Sequence, residues 1–298
     1  MKNSIEVLKQ IYKPYRFTIM GKCTLLESTT GNIIVKEKSK VDIGSLYNYL
    51  KSRYFSNFPK LIEDNRSDVN VFEYVEDIDM PLEQKFDDFI DVISNLHSKT
   101  SYIKEVTEDK YKEIYENILA NILYKEKFYN DIINSVEGDL FPSPSSQLLL
   151  IHSNKIFNSL DFCKKELENW FNLVKEKKKQ KVSLIHNNLK LEHFIKNDND
   201  YLISWENSKI DTPIIDLVNL YKNECLNFDF KEKLDKYFLN NVLDEDEKKL
   251  FFLLIIIPDE IDLNNIEINN VKNVRYLIDY IYKTENLIRS YYSRDKEE

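Results

Sequence analysis

The sequence predicts an α+β protein with a small antiparallel sheet at its start and a much larger helical part after it. Three observations predict this. The first 75 or so residues hold short strand-like runs separated by tight polar joints. Beyond Pro81 the apolar residues recur every three or four positions, the helical period. Near residues 183–217 two short strands and a turn interrupt the helices.

The elements follow in order. Ser4 to Tyr12 reads as a short helix closed by Pro14. Tyr15–Met20, Cys23–Ser28 and Asn32–Glu37 read as strands. Gly21-Lys22 joins the first pair and Thr29-Thr30-Gly31 the second, as in an antiparallel meander. Val41 to Lys51 is a candidate helix, and Lys60–Glu63 and Val69–Tyr74 complete a five-stranded part. The acidic connection "EYVEDIDMP" (Glu73–Pro81) follows. Leu82, Phe86, Phe89, Ile90, Ile93 and Leu96 then fall on one helical face. Tyr111, Ile114, Tyr115, Ile118 and Ile122 repeat the pattern, as do Leu167, Trp170, Phe171 and Val174, and finally Val271 to Ile288. These stripes are read as core packing. Asp139–Gln147 is expected to be a loop from its prolines and serines. The expected division is residues 1–77 and 78–298.

Composition narrows the classes of function. The chain has 298 residues, 42% apolar and 31% charged, as in ordinary globular proteins. The net charge of −9 argues against a nucleic-acid binder. The basic run Lys175–Lys181 is read as a solvated connection before a buried strand. Three widely spaced cysteines, Cys23, Cys163 and Cys225, show no metal-ligand spacing and fit a reduced, cytoplasmic setting. The N-terminus lacks an apolar signal core, and the longest apolar run, Leu250–Ile257, is too short to span a bilayer, so no membrane partner is expected.

The chemistry-bearing stretch is Ser183–Leu217, with "HNNLKLEH" (186–193), "ISWE" (203–206) and "DTPIIDL" (211–217). In order and spacing these resemble the aminoglycoside phosphotransferase and choline kinase-like family, in particular its spore-coat-type branch in Firmicutes. The layout match covers nearly the whole chain, and the motif match about 35 residues. The resemblance implies a two-lobed protein kinase-like fold. It also implies an active-site pattern of His-Gly-Asp, four residues and Asn, followed by Ile-Asp-Trp/Phe-Glu.

Position by position, this chain departs from that pattern. The catalytic Asp aligns with Asn188, whose amide accepts a hydrogen bond but takes no proton near neutral pH. Losing a positioned base costs about 10²–10⁴ in rate. The metal-binding Asn aligns with His193, an imidazole where Mg²⁺ favours oxygen. The second metal-binding Asp aligns with Ser204, a neutral hydroxyl. Asn187 stands where the family has Gly. Lys36, in "NIIVKEK", matches the strand-three lysine that contacts nucleotide phosphates; the alternative is an exposed strand lysine like Lys38 and Lys40. Its partner glutamate on the following helix is not evident, since Asp42 sits at the helix start. His186 and Asp216 are expected to hold the loop's shape rather than do chemistry.

The resulting expectation is a pseudokinase: a degenerate family member that serves as a binding or structural module, in a spore-former one associated with the spore coat. No catalytic residue, metal or cofactor is expected, and the partner is an unidentified protein or a small cationic ligand. Two alternatives stay open. One is a metal-independent nucleotide sensor that binds ATP through Lys36. The other is an active small-molecule kinase with a relocated metal site at Glu192, His193 and Glu206, in which Glu206 shares the face of Ser204 if the strand runs on.

Overall fold

The computed structural model describes residues 2–62, 68–107 and 109–292. They fold as two compact units. The first is Met1–Ser101 with Ser183–Asp211, and the second is Tyr102–Val182 with Thr212–Glu298. This partition differs from a cut between residues 77 and 78. The reason lies in the hydrogen bonding of the hairpin described below, which ties it to the chain around residues 57 and 76–78.

The first unit begins with helix α1 (Lys2–Tyr12) and then strands β1 (Arg16–Met20), β2 (Cys23–Glu27) and β3 (Ile33–Glu37). Helix α2 (Ile43–Ser52) and strands β4 (Leu61–Ile62) and β5 (Val69–Glu73) follow. The expected strand end at Glu63 lies outside the described residues. The sheet order is β1-β2-β3-β5-β4, with antiparallel neighbours throughout. Strand alternation divides its residues between two faces. Leu26, Ile33, Val35, Val69 and Val71 bury one face against Leu8 of α1. On the opposite face Cys23 pairs with Lys36, and Ile34 with Phe72.

Asp42 caps α2: its carboxylate accepts from the N–H groups of Gly44 and Ser45 and from the Ser45 hydroxyl. This is the ordinary work of an N-cap carboxylate, and the Ser45 bonds hold its pKa below the usual range. The helix buries Ile43, Tyr47 and Leu50, with Tyr47 stacked on Phe58 at 4.0 Å.

Helix α3 (Leu82–Thr100) buries Phe86, Phe89, Ile90, Ile93 and Leu96 of the predicted stripe, whereas Leu82, at the start of the helix, is exposed. The unit is completed by residues Ser183–Ile185 of strand β7 (Lys179–Ile185), the hairpin β8 (Phe194–Lys196) and β9 (Asp200–Leu202), and β10 (Lys209–Asp211) on β7. Phe194 stacks on Phe89 at 5.3 Å. The hairpin also bonds to distant chain. Ile78 N–H donates to Lys196 O at 2.8 Å, and Leu202 N–H to Asn57 O at 2.8 Å. The side-chain amide of Asn197 reaches Glu76 O at 2.9 Å.

The second unit holds strand β6 (Tyr102–Glu105), which pairs with residues 179–182 of β7, and helices α4 (Lys110–Glu137), α5 (Pro144–Val174), α6 (Ile214–Glu224), α7 (Phe230–Asn240), α8 (Glu245–Ile256) and α9 (Glu267–Tyr292). Helix α5 packs on α4, α8 and α9, burying Leu160, Leu167, Trp170 and Val174. Two sequence expectations need correction here. Pro144–Gln147 is helical, because Ser143 caps Ser146 N–H and proline is tolerated in the first turn. The basic run is not wholly a solvated connection: Lys177 pairs with Asp246 and β7 starts at Lys179. Among the described residues, no helix is long and apolar enough to cross a membrane.

Candidate functional site

The second face of the first unit's sheet is the floor of a cavity of about 440 Å³. Met20, Cys23, Ile34, Lys36, Phe72 and Glu73 line it from the strands, and Ile43 and Tyr47 from α2. Pro59, Tyr74 and Val75 add to it, and the rest of the lining comes from the 186–206 stretch: Glu192, His193, Ile195, Ile203, Ser204, Trp205 and Glu206. All of these residues belong to the first unit. The volume is in the usual range for small-molecule sites, and the lining is largely apolar with a few polar groups, as such sites are.

Local backbone geometry positions the polar groups. β9 ends at Leu202, and Ser204 takes a left-handed conformation, φ +69° and ψ +48°. A single 3₁₀ turn, Trp205–Asn207, follows. The strand therefore does not run on, and Glu206 reaches the cavity by the turn rather than by alternation. Its carboxylate forms an ion pair with Lys36. Only 16% and 23% of the two side chains are exposed, so solvent screens the pair less than a surface bridge. Lys36 thus has a carboxylate partner, supplied by the "ISWE" turn and not by α2, where Asp42 is committed to capping.

The loop before the hairpin is fastened by two histidines. His186 is fully buried; its Nε2 lies 2.8 Å from Ile203 O and its ring meets Trp205 edge-on at 4.8 Å. A carbonyl only accepts, so Nε2 carries the proton. His193 Nδ1 lies 2.7 Å from Asn188 O, so Nδ1 carries the proton there, leaving Nε2 3.9 Å from Glu192 Oε1. The residue at the expected metal position is thereby tied to the backbone of the residue at the expected base position. Asn187 is left-handed at φ +57°, a conformation Asn tolerates better than most residues. Its amide donates to Asn207 O at 3.2 Å.

Glu192 sits in a 3₁₀ turn, Leu191–His193, and Ser204, expected on a continuing strand, stands at the head of another. Among the described residues, no group of three or more His, Cys, Asp or Glu is placed to hold a metal ion. Glu192, His193 and Glu206 line the same cavity without forming such a group, and Glu206 faces Lys36. Asp216 belongs to the second unit, fully buried in the first turn of α6; burial of the Tyr237 phenol, and then the Asp216 carboxylate, push that phenol's pKa up.

Two further titratable groups in the cavity were not singled out from sequence. Burial raises the Cys23 thiol pKa, with Lys36 pulling it down and Glu206 pushing it up. Burial, then Glu206, raises the Tyr47 phenol. For Cys23 the signal was strand register: it sits directly across from Lys36.

Comparison with solved structures gives the fold. An aminoglycoside phosphotransferase from Alicyclobacillus acidocaldarius superimposes with a TM-score of 0.71 at 9% identity, covering 96% of this chain and 93% of that one. An AMP-bound spectinomycin phosphotransferase gives 0.59 at 13% identity, covering 95% and 97%. The same enzyme with ADP and spectinomycin gives 0.52 at 12%, covering 95% and 98%. The chain has the two-part, kinase-like α+β fold of the aminoglycoside phosphotransferases. No protein-family model and no curated protein sequence matches it.

Proposed function

We propose that the chain is a kinase-fold binding module with little or no phosphoryl transfer, and that its cavity holds a nucleoside-type ligand without a metal ion. The observation that carries this reading is His193, tied through its ring to the backbone carbonyl of Asn188. In phosphoryl transfer the lysine serves the phosphates, metal ions bridge them, and a carboxylate orients the attacking hydroxyl. The aligned base position is an amide, Asn188, and the aligned metal positions are His193, tied to the loop backbone, and Ser204. The nucleoside part is supported by the fold, since the spectinomycin phosphotransferase is known with AMP and with ADP, and by the apolar lining.

The test is a thermal-shift series with adenosine, ADP and ATP, each with Mg²⁺, with Mn²⁺ and with chelator. A ligand at a hundred times its Kd adds about 2.7 kcal/mol of stability. The reading predicts a shift that survives chelator. A shift that needs both ATP and metal would favour an active kinase instead.

A further inference from the structure

We infer that the outer edge of strand β1 is a docking surface for a second copy of this chain, which pairs its own β1 there through Phe17 and Ile19. β1 ends the five-stranded sheet, and among the described residues no strand lies on its outer side. Its apolar side chains stand open: Tyr15 is 69% exposed, Phe17 54%, Ile19 72% and Met20 45%. Lone sheet edges are ordinarily defended by lysines, other charges or prolines. The edge strand β6 of the second unit follows that rule with Lys104 and Glu105. β1 carries one charge, Arg16 at its start, and none from Phe17 to Met20. Lys9 lies over the Phe17 ring at 3.7 Å, and the residue stays half exposed.

The backbone pattern selects the pairing. Met20 and Cys23 flank the two-residue turn Gly21-Lys22 and are partners in register. The pair that closes such a turn exchanges its N–H and C=O groups, and alternate residues of an antiparallel strand turn theirs the other way. Arg16, Thr18 and Met20 therefore bond to β2, and Tyr15 N–H also goes there, to Glu27 O at 3.0 Å. Phe17 and Ile19 turn N–H and C=O outward. Two β1 strands about a two-fold axis satisfy these groups when Phe17 lies opposite Ile19 of the other copy. That register sets apolar on apolar twice, Thr18 opposite its own counterpart at the centre and Arg16 opposite Met20, with no like charges facing. A second copy thus supplies a complementary strand from its own β1. At about 200 Å² for side chains of this size, the exposed parts of Tyr15, Phe17, Ile19 and Met20 come to about 500 Å² per copy. The pair then covers about 1,000 Å², the lower end for a specific interface, so the dimer is weak and concentration-dependent.

The experiment is sedimentation equilibrium of the full chain from about 1 to 200 µM, where a micromolar Kd shows. The wild type is expected to pass from one chain mass to two across that range. Ile19→Lys sets an ammonium against the apolar pair at a side chain already exposed in the single chain. It is expected to weaken association about tenfold or more, with the thermal midpoint of the dilute protein unchanged. Thr18→Cys tests the register. Facing residues of a pair that shares no hydrogen bonds stand about 4.5 Å apart between Cα atoms, within disulfide reach. Under mild oxidation Thr18→Cys is expected to give a covalent dimer well above the background set by Cys23, Cys163 and Cys225 in the wild type. Ile19→Cys, whose counterpart lies two residues along and beyond that reach, is expected to stay at background. A wild type that keeps one chain mass throughout overturns the inference and leaves the edge to a strand of another protein. So does a dimer that Ile19→Lys leaves intact, or a Thr18→Cys variant that cross-links no better than Ile19→Cys.

Discussion

Replacing His186 with alanine separates architecture from chemistry in the 186–193 loop. The imidazole is fully buried, donates to Ile203 O at 2.8 Å and packs edge-on against Trp205. Removing the donor leaves that carbonyl without its partner, a cost of about 1–3 kcal/mol. Losing the ring pair costs about 0.5–1.5 kcal/mol more. The sum is about 2–4 kcal/mol. At about 2–4 °C per kcal/mol for a chain of this order of size, the midpoint should fall by about 5–15 °C. Thermal unfolding followed by circular dichroism and by tryptophan fluorescence checks this, the latter because Trp205 is one of the chain's two tryptophans. His186→Phe keeps a ring against Trp205 and loses the donor, so it should fall between the wild type and the alanine variant. A His186→Ala midpoint within 2 °C or so of the wild type would refute the bracing role drawn from this geometry.

Two further substitutions test other parts of the account. Thr100 is fully buried, donates to Leu96 O at 2.7 Å and accepts from Leu184 N–H at 3.1 Å; Thr100→Val should cost about 1–3 kcal/mol by urea unfolding, and Thr100→Ser clearly less. Glu247 completes the capping box of α8 by accepting from Asp244 N–H, while burial raises its pKa above the usual range. A raised carboxyl favours the fold in its protonated form. That contribution is fully present below the ordinary glutamate range and is lost as pH rises through the folded value. Glu247→Gln keeps an acceptor for the cap and removes the charge, so its stability relative to the wild type should improve from pH 4 to pH 7. Glu247→Ala loses the cap as well, at about 1 kcal/mol. Unfolding midpoints across that pH range decide both, and a wild type and Glu247→Gln that run parallel would contradict the assigned cause.

Much of the fold was legible because local rules and tertiary packing agree. The two-residue joint Gly21-Lys22 and the alternation of Ile33–Glu37 specify the meander, and the spacing of Phe86 to Leu96 specifies the buried face of α3. Strand β6 was missed because Tyr102–Glu105 is exposed throughout and lacks an apolar pattern. Its strand character comes from backbone pairing with residues 179–182, which are themselves polar or basic except Val182. Positions 193, 204 and 206, singled out through the family resemblance, line one cavity. The partner of Lys36 was not legible. It depends on a left-handed residue at 204 that ends the strand and turns Glu206 inward, and nothing in the side chain of serine announces that conformation. The cavity's floor was likewise hidden, since it requires knowing which strand faces α1 and which residues are left for the other side.

The central claim is that a kinase-like fold here carries little or no phosphoryl transfer. Its most direct test is ATP turnover by the wild type, with Mg²⁺ and with Mn²⁺, measured as phosphate release beside an enzyme-free blank. The triple variant Asn188→Asp, His193→Asn, Ser204→Asp serves as the restored comparison, with aspartate among the residues that best tolerate the left-handed backbone at 204. The account predicts wild-type release indistinguishable from the blank under both metals. Metal-dependent wild-type turnover that disappears on changing Asn188 or Glu206 would contradict it.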